Sequence, residues 1–161
     1  MKFIKFQLGD RFFALPLELA GEILPMATLM KPPGLFPLLE GFLNLGGIAI
    51  AVLRLDRALG LPMVEPTPDS HLLIVKPGKN ELSYALLVDH VLETFESSEE
   101  QMITLPHQIF KSCVEQELTH RSQVVHLLSL KNVLLEQERS AVGALQLSTQ
   151  KKMLELLKAV S

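Results

Sequence analysis

Gly41-Phe42-Leu43-Asn44-Leu45-Gly46-Gly47-Ile48-Ala49-Ile50-Ala51-Val52-Leu53-Arg54-Leu55-Asp56 is the stretch from which the fold class can be read. Three glycines and Asn44 mark a turn, and Ile48 to Leu53 then runs without a polar residue. Ile48, Ile50 and Val52 alternate with Ala49, Ala51 and Leu53, so a strand laid through them is apolar on both faces. Such a strand has to sit between packed layers. Asn44 and the glycines interrupt the run and Arg54 ends it, well short of the roughly 18 apolar residues of a membrane span.

The flanking sequence repeats a strand-and-turn grammar. Phe3 to Leu8 and Arg11 to Leu15 enclose Gly9-Asp10, a two-residue hairpin signal, and Pro16 ends the second run. Glu18 to Leu24 carries apolar residues at Leu19, Ile23 and Leu24, which predicts one or two helical turns before Pro25. Lys31-Pro32-Pro33-Gly34 is a loop, because neither proline can donate to a ladder. Asp56 to Leu59 fits a single helical turn closed by Gly60, and Pro62 to Ser70 reads as a tether dividing the chain into two halves. Beyond it, His71 to Lys76 and Leu82 to Val88 read as strands around a Pro77–Asn80 turn, followed by a strand over Val91 to Phe95. An acidic loop, Glu96 to Glu100, comes next. Gln123 to Leu128 reads as a late strand that passes into a helical stretch from Leu130 to Glu138. No fixed-period repeat is present.

Composition narrows the function. Apolar residues make up 48% of 161 residues and charged ones 20%, which is the mix of a globular chain. Fifteen Lys and Arg against eighteen Asp and Glu give a net charge of −3, which argues against a basic face for nucleic acid. The N-terminus reaches Gly9-Asp10 before an apolar signal core is complete, and the one cysteine, Cys113, suits a reducing compartment. His71, His90, His107, His120 and His126 show no helical metal-ligand spacing, and neither a Cys-x-x-Cys nor a Gly-x-Ser-x-Gly occurs. Glu99-Glu100 and the Glu115, Glu117 pair fall in polar, loop-like stretches that predict solvated carboxylates. Cys113 reads as a small buried hydrophobe; a nucleophilic role would need a histidine beside it. The expectation is a non-enzymatic protein without metal or cofactor.

Several motifs, taken in order, carry a family resemblance. Phe6-Gln7-Leu8-Gly9-Asp10, Phe13-Ala14-Leu15-Pro16-Leu17, Glu22-Ile23-Leu24 and the Gly41–Val52 stretch, then Leu87-Val88-Asp89-His90-Val91 and His126-Leu127-Leu128-Ser129-Leu130 with Leu134-Leu135, resemble the CheW-like domain of bacterial chemotaxis coupling proteins. The resemblance covers about residues 3 to 138. It implies a mainly β fold of two five-stranded SH3-like barrel lobes sharing an apolar core, with short helices at the joins and a C-terminal helix. The CheW-like domain would span 1–138, its lobes dividing near 62–70, and 139–161 would be a helical extension.

The same resemblance implies an adaptor in the cytoplasm, recruited to membrane-associated receptor arrays without inserting into the membrane. Its partners would be a CheA-type histidine kinase and the cytoplasmic tip of a methyl-accepting chemoreceptor. Partner-binding positions carry over to Ala20, Glu22, Gly41, Asn44, Leu45, Gly46 and Gly47. Ala20 stands where a larger aliphatic residue is common, Ala51 where a proline is common, and Arg54 where an aspartate is common. Gly46 replaces the arginine of the family's Asn-Leu-Arg-Gly loop and so lacks a guanidinium's charge and donors. A divergent module that binds kinase or a localisation factor without ordinary receptor coupling is therefore the alternative. Asn44 and Gly47 fit either a contact surface or simple turn-shaping. In the tail, Ser148 or Thr149 is the expected cap of a helix with its stripe at Met153, Leu156, Leu157 and Val160, docking on its own domain or on another chain.

Overall fold

The structure, a computed structural model, describes residues 1–76, 83–109, 113–134 and 136–160. The fold is mainly β, as expected. The strands are β1 (Lys2–Leu8), β2 (Arg11–Pro16), β3 (Ala20–Pro25), β4 (Leu39–Leu45), β5 (Ile48–Arg54), β6 (His71–Val75), β7 (Tyr84–Val88), β8 (His90–Glu96), β9 (Ile103–Ile109), β10 (Val114–His120) and β11 (Gln123–Leu128). Helix α1 (Leu55–Ala58) follows β5, and α2 (Glu136–Val160) closes the chain. One sheet has the expected five strands, in the order β3-β6-β7-β5-β4; the other has six, in the order β8-β1-β2-β11-β10-β9. These are the two SH3-like lobes.

Three apolar clusters explain why the lobes hold together. Leu43, Ile50, Val52, Leu72, Ile74, Ala85 and Leu87 fill the five-stranded lobe, and Phe3, Ala14, Phe95, Leu118, Val125 and Leu127 fill the six-stranded one. The third and largest cluster joins Ile4, Phe6, Phe13 and Leu15 to Ala49, Ala51, Leu53, Leu73 and Leu86 across the interface. Strands β1, β2 and β5 contribute to two clusters each, one per face, as the doubly apolar Ile48–Leu53 run predicts.

The lobes are not the two halves of the sequence. The chain leaves the six-stranded sheet after β2 through a 3₁₀ turn at Leu17–Leu19, builds the whole five-stranded sheet from β3 to β7, and returns at Asp89. Pro62–Ser70 therefore links α1 to β6 within one lobe rather than dividing two. Its role is visible in its contacts: the Arg54 guanidinium donates to the Val64 carbonyl at 2.7 Å, and Met26 N–H donates to the Ser70 carbonyl at 3.0 Å. Asp89, at the return crossing, accepts from the Gly9 N–H at 2.6 Å and so ties the β1–β2 turn to the lobe junction.

Other expectations are corrected. Residues 20–25 form a strand rather than a helix, because Ile23 and Leu24 pair with Leu73 and Leu72 of β6, and a neighbouring strand offers more than a two-turn helix can. Strands β9 and β10 replace the expected polar loop around Glu115 and Glu117. Only Val114 and Leu118 of β10 are buried, so its alternation is sparse, and Pro106 is tolerated in β9 because that strand is the sheet's edge. Helix α2 starts at Glu136, with Ser148 and Thr149 in its interior. Residues 130–132 form a 3₁₀ turn rather than the start of a continuous helix. The predicted Pro77–Asn80 turn lies outside the described residues.

Two polar side chains set into the six-stranded lobe are held by specific contacts. Lys5, 2% exposed, lies inside the six-stranded lobe with its Nζ donating to Gln123 Oε1 and resting 5.0 Å from the Phe12 ring centre. Burial pulls its pKa down, against the opposing charge of Glu93. His126 packs on the Phe13 ring at 5.4 Å, and burial lowers its pKa below the ordinary 6.5 despite Glu117 at 3.7 Å.

Closure of the five-stranded lobe rests on a glycine. Met30 and Phe42 exchange backbone hydrogen bonds of 2.8 Å, joining the segment after β3 to β4. A Cβ on Gly41 would stand 2.7 Å from the Met30 carbonyl oxygen and 3.0 Å from Leu29 Cβ. Gly41→Ala is expected to destabilise the fold by about 1–3 kcal/mol, the usual cost of forcing extra atoms into packed structure; denaturant unfolding measures it. His126 gives a pH prediction. Because the native imidazole resists its proton, the unfolded chain binds that proton first, so His126 favours folding above pH 6.5 and this contribution is lost as pH falls below it. His126→Gln should flatten the melting temperature's dependence on pH between 6.5 and the lower native pKa, as differential scanning calorimetry can read.

Candidate interaction site

The candidate residues fall on two strands of the five-stranded lobe. Gly41, Asn44 and Leu45 belong to β4, Gly46 and Gly47 form the loop to β5, and Ala20 and Glu22 lie on β3. β3 and β4 are the two ends of the sheet order, and the Met30–Phe42 bridge joins the segment after β3 to β4. Ala20 is only 8% exposed and packs into the shared core opposite Val75, so its side chain is not presented to a partner. Glu22 is exposed. Gly41 is buried and serves closure of the lobe, and Leu45 packs partly onto the lobe's own core.

The β4–β5 loop is a two-residue turn. Leu45 pairs with Ile48, and Gly46 and Gly47 take φ of 59° and 90°. Positive φ at both loop positions is the geometry that matches strand twist and favours glycine. Asn44 Oδ1 accepts the Gly47 N–H at 2.8 Å, so Asn44 shapes the turn, while remaining exposed. A Cβ built on Gly46 meets nothing within 4 Å, and the loop tip is open to solvent.

At the base of β5 a buried charge is compensated. Arg54, 5% exposed, pairs with Glu40 at 2.9 Å and Asp56 at 3.2 Å. Burial would lower its pKa, but the hydrogen bonds and charge of those carboxylates outweigh burial and hold it above the ordinary value. Lys31 extends the chain of charges to Glu40 at 3.3 Å. Cys113 is 1% exposed, as the sequence predicts, with its Sγ 3.5 Å from the Ala58 carbonyl and 3.3 Å from that of Asn132. It borders a cavity of about 420 Å³ between Phe36, Ala58 and Val133. Among the described residues no cluster of three or more His, Cys, Asp or Glu has metal-binding geometry.

Two residues of the site escape sequence reasoning. Gln150 Oε1 accepts the Ala49 N–H and its Nε2 donates to the Gly47 carbonyl, each at 2.7 Å. Gln146 Nε2 donates to the Ala49 carbonyl, also at 2.7 Å. The described β5–β7 pairing begins only at Ala51, so these amides serve the start of β5 where that register does not reach. Val142, Thr149 and Met153 are buried beside them. The available signal is a polar residue four positions after Val142 in a stripe otherwise spaced for burial. Of the expected tail stripe, Met153 docks, whereas Leu156 and Leu157 are exposed.

Helix α2 therefore braces the loop that carries Gly46 and Gly47. Gln150→Ala should leave the Ala49 N–H and Gly47 carbonyl without their partner, at a cost of about 1–3 kcal/mol. Hydrogen exchange at Ala49 is expected to accelerate far more than at Leu86 in the lobe interior.

Comparison with known proteins places this geometry. A family model described as the CheW-like domain matches residues 2–138. The chain is 22% identical over 142 residues to the chemotaxis protein CheW of Bacillus subtilis (strain 168), covering 86% of this chain and 89% of that one. The crystal structure of the scaffolding protein TtCheW from Thermoanaerobacter tengcongensis superposes with a TM-score of 0.77 at 22% identity, covering 86% of this chain and 95% of the other. The match runs through both sheets and their shared core. The chain belongs to the CheW-like domain family.

Proposed function

We propose that this chain is a non-enzymatic signalling adaptor that couples a CheA-type histidine kinase to the cytoplasmic tip of a methyl-accepting chemoreceptor. It would work in the cytoplasm at membrane-associated receptor arrays. Family membership supports the kind of task. The observation that carries the reading is where the scaffold leaves apolar side chains uncovered. Ile23 is 46% exposed beside Glu22 on β3, and Ile48 is 59% exposed beside Gly47 at the loop. An exposed aliphatic residue at each candidate position supplies contact area, which is what a scaffold offers in place of chemistry. The doubly cored lobes behind them keep the two positions at a fixed geometry.

A second reading draws support from Gly46. Without a side chain at the loop tip, partners are met by backbone and by Ile48 rather than by a fixed charge, which suits a divergent module that binds kinase or a localisation factor without ordinary receptor coupling. Arginine can be restored there. The Cβ direction is open, and the left-handed backbone costs a non-glycine residue about 1–2 kcal/mol.

The purified chain is expected to bind the regulatory fragment of its cognate kinase in calorimetry. Ile23→Asp or Ile48→Asp should weaken the complex roughly tenfold or more, as a charge placed in an apolar contact does. Absence of association at high micromolar concentration overturns the adaptor reading. Receptor-dependent kinase activation by the natural chain supports the first reading over the second. Coupling that appears only in Gly46→Arg supports the second.

A further inference from the structure

The ammonium of Lys5 is buried, and among the described residues no carboxylate lies within ion-pair distance of it. Its Nζ donates to the Gln123 amide oxygen and stands 3.5 Å from His120 Nδ1. The His120 ring stacks on Phe95 of β8, with centres 4.3 Å and planes 18° apart, so its plane is set. The same Nδ1 lies 3.7 Å from Glu93 Oε1, while Glu93 Oε2 pairs with Arg121 at 3.3 Å. One ring nitrogen thus has a cation and an anion within reach. Neutral, with its proton on Nε2, the imidazole accepts from Lys5. Protonated, it can only donate, and its partner is then Glu93.

The segment held by these contacts is strained. His120 pairs with Gln123, which makes Arg121-Ser122 a two-residue turn with φ of 51° and 62°. Among the described residues they are the only non-glycine positions with positive φ; the β4–β5 turn uses glycine at both. Side chains disfavour that backbone, so it persists only where neighbours hold it. Two side-chain contacts tie the turn to other strands: Arg121 to Glu93 on β8, and Lys5 of β1 to Gln123. Strand β11 runs parallel to β2 with Val125 opposite Phe12, so the Gly9-Asp10 turn lies beside it at one end of the lobe.

We infer that the β10–β11 turn is a pH-operated latch: protonation of His120 transfers its Nδ1 from Lys5 to Glu93 and releases the Arg121-Ser122 turn from β1 and β8. The charged groups facing the imidazole are Lys5 from β1, Glu93 from β8 and Arg121 from the turn itself. Gln123 of β11 and Phe12 of β2 add neutral contacts to Lys5. Burial, helped by the charges of Lys5 and Arg121 and opposed by Glu93, holds the His120 pKa below 6.5. The ring is therefore neutral at pH 7, and the latch is closed there. As pH falls below 6.5 the imidazolium competes with Arg121 for Glu93 and sets a second cation against the buried Lys5. The strained turn is the part of this cluster with least holding it, so it is the part that moves.

The test follows the full chain from pH 7.5 to pH 5 by two nuclear magnetic resonance readouts, the His120 ring titration and amide protection factors over residues 120–125. Protection there should fall roughly tenfold or more as His120 takes its proton, while Leu86 keeps its protection. His120→Gln should make turn protection independent of pH. Lys5→Met should raise the pH at which His120 protonates, and Glu93→Gln should lower it. Circular dichroism checks each fold; His120 and Glu93 are partly exposed, so their variants decide the question even if Lys5→Met does not fold. Turn protection that stays constant through the His120 titration overturns the inference. So does a His120 titration that Glu93→Gln leaves in place. A loss of protection that persists in His120→Gln overturns it as well, since His126 on β11 would then be its source.

Discussion

Burial of β5 on both faces is the constraint from which the rest of the architecture follows. Ala49, Ala51 and Leu53 enter the core shared by the two lobes, while Ile50 and Val52 enter the core of their own lobe. At about 1.5–3 kcal/mol for each large aliphatic side chain buried, neither set can be turned to solvent without unfolding a lobe. The alanines matter as much as the larger residues. Small side chains on the shared face leave room for Phe6 and Phe13 of the other sheet in that core. A one-residue slip of register would exchange the two faces and spoil both cores, so the strand's position is tightly specified.

That rigidity reaches the loop through two kinds of contact. Asn44 fixes the turn from within by accepting the Gly47 N–H, and Gln146 and Gln150 fix it from behind by pairing with Gly47 and Ala49. The second contact is imperfect. Gln146 Oε1 and Thr149 Oγ1 are buried with no hydrogen-bond partner among the described residues. Each such atom carries a desolvation cost, so α2 is held less tightly than its three backbone-directed hydrogen bonds suggest.

Arg54 shows how the fold accommodates a buried cation. A buried cation would be costly if left alone. Here Glu40 and Asp56 lie on either side of it, and the guanidinium's remaining reach is spent on the Val64 carbonyl. The same group that balances charge ties the Pro62–Ser70 loop to the base of β5. This gives the proline-rich segment a local structural task inside one lobe.

Much was determined by residue order alone. The doubly apolar Ile48–Leu53 run announced a strand between layers, Gly9-Asp10 and Gly46-Gly47 announced turns, and the ordered motifs announced the family, because each signal is local in the chain. Assignments that depended on distant partners were not legible. Ile23 and Leu24 look helical until β6 supplies a strand to pair with, and the sparse pattern of β10 becomes a strand only between β9 and β11. Ala20 and Gly41 read as contact residues, yet packing against Val75 and Met30 makes them structural. Nothing local marks Gln146 and Gln150 until the start of β5 offers them backbone partners. Periodicity records which residues prefer burial, but only tertiary structure decides what buries them.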